Sequence, residues 1–238
     1  MSPAKASHTA RERARAELTR EIREEARRQL AETGAPGLSL RAVARELGMV
    51  SSALYRYFPS RDDLLTALII DAYNALGAAA EGAVAADPGL SSRVRWLAAC
   101  HAIRAWALDN PHEYALIYGS PVPGYQAPAA TTGPASRVPL AFVRLLADAD
   151  AAGTLRTGDG PGLDDALAAQ AGALATALAE SGAIRVPPDA LVRAVIAWAQ
   201  LFGMISFELF GQFVGSFEPA DAAFDYAVAQ LATFVGLE

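Results

Sequence analysis

The chain has 238 residues, 53% of them hydrophobic, and a formal net charge of −6, which excludes a disordered polyelectrolyte and leaves room for a small domain beside a larger one. One cysteine, Cys100, and three histidines exclude an internal disulfide framework and any zinc-site spacing. The single lysine, Lys5, removes a Walker A lysine and a buried Schiff-base lysine, and no G-x-S-x-G is present, so an enzyme is not expected.

The first residues, MSPAKASHTARERARAEL, are charged and lack an apolar h-region, so they do not read as a secretory signal, and a reducing cytoplasm is the expected compartment. Residues 1–66 carry twelve Lys and Arg against nine Asp and Glu, and residues 67–238 carry eight against seventeen. A basic module therefore precedes an acidic one, an asymmetry expected where only the first part meets a polyanion.

Apolar residues recur at helical spacing and alternating strand patterns are nearly absent, which predicts an all-α fold. Leu18, Ile22, Ala26 and Leu30 define the first helix, with Gly34 placed to cap its C-terminal end. Next come LRAVAREL, with Ser39 as N-cap, and SSALYRYF, separated by Gly48, Met49 and Val50. That spacing, with glycine at the turn, is a helix-turn-helix. Ser60 and Asp63 form a capping box, so a long helix should start after Pro59.

Further helices are predicted at about 91–109, 111–119, 134–152, 162–181, 189–214 and 219–236. Asn110, Pro111 and Glu113 mark the shortest of these as a separate helix, and the Pro- and Gly-rich stretch that follows cannot be regular helix. The most apolar segment, 190–215, is interrupted by Arg193, Gln200, Glu208 and Gln212, so no uncharged run reaches the ~20 residues of a membrane span. No membrane association is expected.

In a helix-turn-helix, the second helix enters the major groove. On its helical period Leu54 and Phe58 face inward, against Val43, Leu47 and Leu64, while Ser51, Ser52, Tyr55 and Arg56 face out. Short hydroxyls can approach bases, arginine can take guanine bidentately, and tyrosine hydroxyls can donate to phosphates. Ser39 and Arg41 open the preceding helix and Arg61 the following one, positions that favour phosphate.

Over about residues 20–70 the sequence resembles the tetracycline-repressor (TetR) family of bacterial transcription regulators. The resemblance rests on LSLRAVARELGMVSSALYRYFPSRDDLLTAL: the glycine turn, a small-residue recognition start, the L-Y-x-x-F block and a basic residue opening the next helix. It implies base readout by Ser51, Ser52 and Arg56, with Tyr55, Tyr57, Ser39, Arg41 and Arg61 on the DNA backbone. Tyr57 stands where many relatives carry His, Arg61 where many carry Lys, and Ala53 where Thr is common. WAQLFGMISFELFGQF is similar to an actinobacterial-type group with a Trp-x-x-x-His-Gly segment, of which Trp198 and Gly203 match while Phe202 occupies the His position.

The resemblance implies residues 1–66 as the arm and DNA-binding domain and 67–238 as an effector-binding and dimerisation domain. It also implies a homodimer through the last two helices, operator DNA as partner, and a repressor released by a small ligand. Trp96, Trp106, Tyr114, Tyr118, Phe142 and Phe207 carry two open readings: a packed core, or the lining of an apolar pocket with tyrosine hydroxyls or His101 as its polar groups. No cofactor or metal is expected. The alternatives are a redox or metal sensor on the same fold, using Cys100, His101 and His112, and a small helical enzyme; Cys100 and His101 are adjacent on a helix and point about 100° apart, so they do not form a nucleophile pair.

Overall fold

In the computed structural model, residues 3–87, 89–156, 162–182 and 184–237 are described, with side chains from residue 9 onward. Every regular element among them is helical. Helix α1 (Pro3–Gly37) is broken at Gly34, whose φ of 69° departs from helix. Helices α2 (Leu40–Glu46), α3 (Ser51–Leu54), α4 (Arg61–Ala85), α5 (Ser92–Asp109) and α6 (Pro111–Tyr118) follow. After a 3₁₀ turn at Ala129–Thr131 come α7 (Thr132–Ala151), α8 (Asp165–Gly182), α9 (Pro188–Leu209) and α10 (Asp221–Phe234).

The chain divides into two compact units. Unit 1 comprises residues 1–73 and 110–132, and unit 2 comprises 74–109 and 133–238. The division thus falls within α4, seven residues beyond the expected 66/67 boundary, and 110–132 joins the N-terminal unit. The cause is non-local: Arg27 of α1 pairs with both Asp71 of α4 (2.8 Å) and Glu113 of α6 (3.1 Å). Tyr73 donates to the Ile117 carbonyl at 3.3 Å, and its ring meets Tyr118 edge-on.

The core of unit 1 gathers Ile22, Ala26, Leu40, Val43, Leu54, Phe58, Leu64 and Leu68. The stripe that makes α1 amphipathic therefore meets the inward faces of the next three helices. At the end of α2 the Met49 N–H reaches the Ala44 carbonyl (2.8 Å) and the Gly48 N–H reaches Arg45 (3.1 Å). These two bonds make a Schellman cap, whose left-handed position is Gly48 at φ 65°. The Ser60 hydroxyl accepts from the Asp63 N–H (3.1 Å) and donates to the Asp63 carboxylate (2.7 Å), so the predicted cap starts α4.

In unit 2, α5, α9 and α10 pack together and α8 packs on α9. Arg104 of α5 is held by Glu208 of α9 (2.6 and 2.7 Å) and by Asp221 of α10 (2.9 Å), and it lies over the Phe224 ring. Hydrogen bonding to Glu208 is the main reason its pKa is raised further above the ordinary arginine value. Helix α9 ends at Leu209, five residues before the expected 214, because Gly211 and Gly215 each take φ 77°. By length and mean hydropathy alone α4 and α9 could cross a bilayer. The charges of α9 are instead ion-paired inside unit 2: Arg193 with Asp189 at 2.7 Å, and Glu208 with Arg104.

Candidate nucleic-acid interface

The second helix of the helix-turn-helix is short. Regular α-helix covers Ser51–Leu54, and the chain continues as tight turns in which the Tyr55 N–H donates to Ser51 (3.2 Å), Arg56 to Ala53 (3.2 Å) and Phe58 to Leu54 (3.1 Å). Pro59 then removes the next donor. Leu54 and Phe58 lie buried in the unit 1 core, as their spacing predicts.

Ser52, Tyr55 and Arg56 are exposed and Ser51 is half-exposed. Among the described residues none of these four side chains, nor that of Arg41, makes a hydrogen bond or an ion pair. Tyr57 is half-buried against the core, and the Arg15 guanidinium lies 5.5 Å from its ring centroid. Ser39 sits at the N-cap of α2, where its hydroxyl accepts from the Ala42 N–H (3.4 Å) while its own N–H donates to Gln29 (3.4 Å).

Arg61 differs from the rest of the set. Its Nη2 donates to the Ala35 carbonyl at 2.5 Å, its Nε to the Leu38 carbonyl at 3.2 Å, and its Nη1 faces Asp62 at 3.4 Å. The side chain ties the α1–α2 junction to the start of α4, a contact that sequence spacing did not indicate. Arg15 was equally invisible from motif spacing, since it precedes the helix-turn-helix by more than twenty residues.

Of the seven aromatic and histidine candidates, Tyr114 and Tyr118 belong to unit 1 and Trp96, His101, Trp106, Phe142 and Phe207 to unit 2. Trp96 and Phe142 pack in the core of unit 2, centroids 4.5 Å apart. Tyr114 and Tyr118 stack on each other in unit 1 at 5.3 Å, and burial pushes the Tyr118 hydroxyl pKa up. His101 is exposed, with Nε2 3.6 Å from Asp225. Phe207 is 54% exposed and meets Phe213 edge-on at 5.9 Å; Trp106 is half-buried. A cleft of about 300 Å³ in unit 2 is lined by Ser92, Arg93, Arg95, Asp148 and others, and by none of these seven.

Cys100 is fully buried, and burial raises its thiol pKa, which keeps it protonated and unreactive. Among the described residues no three His, Cys, Asp or Glu side chains gather in a metal-binding group.

The sequence and fold have relatives. Residues 22–68 match the family described as bacterial regulatory proteins, tetR family, and residues 96–231 match the tetracyclin repressor-like C-terminal domain. An HTH-type transcriptional regulator of Mycobacterium tuberculosis is 43% identical over 201 residues, 84% of each chain. The crystal structure of regulatory protein SCO4313 superposes with a TM-score of 0.72 at 37% identity, covering 93% of this chain and 98% of that one. A Rhodococcus sp. RHA1 protein of unknown function follows at 0.66 and 29%, covering 92% and 95%. Both halves of the chain match, and the outward hydroxyls and arginine stand on a helix-turn-helix of the matching family: the chain belongs to the TetR family, and is a DNA-binding transcription regulator rather than an enzyme.

Proposed function

We propose that this regulator is a cytoplasmic, dimeric repressor that reads operator DNA through α3 and is released by a small, largely hydrophobic ligand. The observation that carries the reading is the division of α3 and its following turn. Leu54 and Phe58 are buried, while Ser51, Ser52, Tyr55 and Arg56 present polar groups that no side chain or backbone partner occupies among the described residues. Ser51, Ser52 and Arg56 take the base edges and Tyr55, Tyr57, Ser39 and Arg41 take the backbone, while Arg61, expected from its position to join them, instead ties the reading head together through the Ala35 and Leu38 carbonyls.

The functional boundary lies near residue 66, with the reading head before it. Two heads about 34 Å apart are needed to use successive major grooves. Side chains of α9 and α10 that remain exposed, including Ile196, Phe207 and Tyr226, support pairing of two chains through these helices. A monomeric mass in light scattering at micromolar concentration would remove the dimer.

For the ligand, the aromatic set around Trp96 and Phe142 supports an apolar lining, with Trp106, Tyr114, Tyr118, Phe207 and His101 as the further candidates. A thermal-shift panel of lipophilic compounds tests it, and a uniformly silent panel counts against a ligand-gated switch. Footprinting on DNA flanking the chain's own gene, across salt concentrations, tests the whole reading. A protected site that weakens with salt is expected, and affinity indifferent to sequence would refute specific regulation.

A further inference from the structure

Helix α1 does not begin where the family match begins. It runs about five turns further toward the N-terminus, from residue 22 back to Pro3, and residues 9–21 alone extend about 20 Å, the length of roughly six base pairs. What this overrun carries is set by helical phase. The face of α1 that enters the unit 1 core is marked by Ile22 and Ala26, both 0% exposed, with Leu18 packed at its edge.

At about 100° per residue, Arg15 and Arg11 fall within roughly 20° of Ile22, whereas Arg13 falls on the opposite side. The stripe that is apolar inside the core thus becomes basic where the helix passes the core's edge. Its first arginine marks where that edge lies: Arg15 stands over the ring of Tyr57, 5.5 Å from the centroid, and Tyr57 directly follows Arg56 in the chain. A cation held over an aromatic ring uses none of its N–H groups in a hydrogen bond there, so they remain available for phosphate.

Local neutralisation is missing on this stripe. Arg20 is held by Glu17 (2.6 Å) and Glu24 (2.7 Å), and Arg28 by Glu25. Arg11, Arg13 and Arg15 make no ion pair among the described residues. We propose that the N-terminal overrun of α1 is a second DNA-contacting surface, in which Arg11 and Arg15 bind backbone phosphates flanking the stretch read by α3. The partner is double-stranded DNA, and the contact is with phosphate and independent of base sequence.

This inference rests on the DNA-binding reading, and one titration separates the two. Binding of the full chain to the duplex flanking its own gene, and to a mixed-sequence duplex, is followed by fluorescence anisotropy across salt concentration. Each phosphate contact contributes about 0.9 to the slope of log K against log salt, so R11A/R15A should flatten the slope by ~2 on both duplexes. Arg13→Ala should leave it unchanged, and R11K/R15K should restore it. Alanine at exposed helical positions favours helix, so the variants keep the fold, and far-UV circular dichroism checks this.

A wild-type slope for R11A/R15A, or an equal loss in Arg13→Ala, would overturn the proposal while leaving DNA binding intact. Failure of the wild-type chain to bind either duplex would instead overturn the DNA-binding reading, and the overrun's role with it.

Discussion

Replacing Arg61 by alanine separates two roles, the phosphate contact expected from its sequence position and the structural tie that its hydrogen bonds make. In the structure its guanidinium donates to the Ala35 and Leu38 carbonyls, which belong to the break between α1 and α2. Hydrogen bonds from a charged donor contribute roughly 1.5–3 kcal/mol each, less where solvent reaches them. The side chain is 31% exposed, and its pairing with Asp62 is a surface pair of small value. The two carbonyl bonds together should contribute ~2–3 kcal/mol to unit 1, and losing them should lower its urea midpoint by about 1 M. All three tryptophans, Trp96, Trp106 and Trp198, lie in unit 2. Tryptophan fluorescence therefore follows unit 2, and far-UV dichroism lost ahead of it follows unit 1. For Arg61→Ala the dichroism should move early with the fluorescence midpoint unchanged, and the salt slope of DNA binding should stay within a few tenths of wild type. Unchanged dichroism with a slope flattened by about 0.9 would refute the structural tie and assign Arg61 to phosphate.

Arg56→Ala should weaken specific binding by ~1–3 kcal/mol without changing stability, read by competition between the footprinted site and mixed-sequence DNA. Gly48→Ala should cost about 1–2 kcal/mol of unit 1 stability in urea unfolding, because its φ of 65° disfavours any Cβ; no atom lies within 4 Å of the added methyl, so backbone strain is the whole effect. Glu81 has its pKa lowered, first by hydrogen bonding to Arg137, which it meets at 2.6 and 3.0 Å. A depressed folded pKa gives stability that is complete above the ordinary value of 4.5 and is lost as pH falls through the lower folded value. Tryptophan-monitored unfolding of wild type should therefore weaken below pH 4.5 by under ~1 kcal/mol more than that of Arg137→Met, the pair being about one-third exposed.

Much of the fold was legible because its signals are local. The Ser60–Asp63 cap, the glycine at position 48 and the four-residue spacing of Leu54 and Phe58 each act within one turn of helix, and each stands where its spacing puts it. The end of α9 was missed because the apolar pattern continues past Leu209 through Phe210, Phe213 and Val214, while Gly211 and Gly215 turn the backbone. Two other features depend on partners distant in sequence. Asn110–Thr132 joins unit 1 through Arg27–Glu113 and Tyr73–Ile117. The Asn110 carbonyl accepts from the Tyr114 N–H (2.9 Å) but its side chain does not cap the helix, and Glu113 pairs with Arg27.

Formal charge shows where a nucleic acid could bind only after the internal pairs are removed. Residues 1–66 hold twelve basic side chains, yet Arg20, Arg23, Arg27, Arg28, Arg45 and Arg61 each face a carboxylate. Setting aside Lys5, whose side chain is outside the described set, what remains is Arg11, Arg13, Arg15, Arg41 and Arg56. Arg41 opens α2, Arg56 stands on the reading turn, and Arg11 and Arg15 share the phase of the core-facing stripe of α1. Only Arg13 points elsewhere. An arginine paired within unit 1 must give up its carboxylate before it releases a counterion from DNA, whereas an unpaired one has nothing to give up. The salt slope of binding should therefore follow the unpaired four, and a sequence-wide balance of +3 in this segment has little bearing on it.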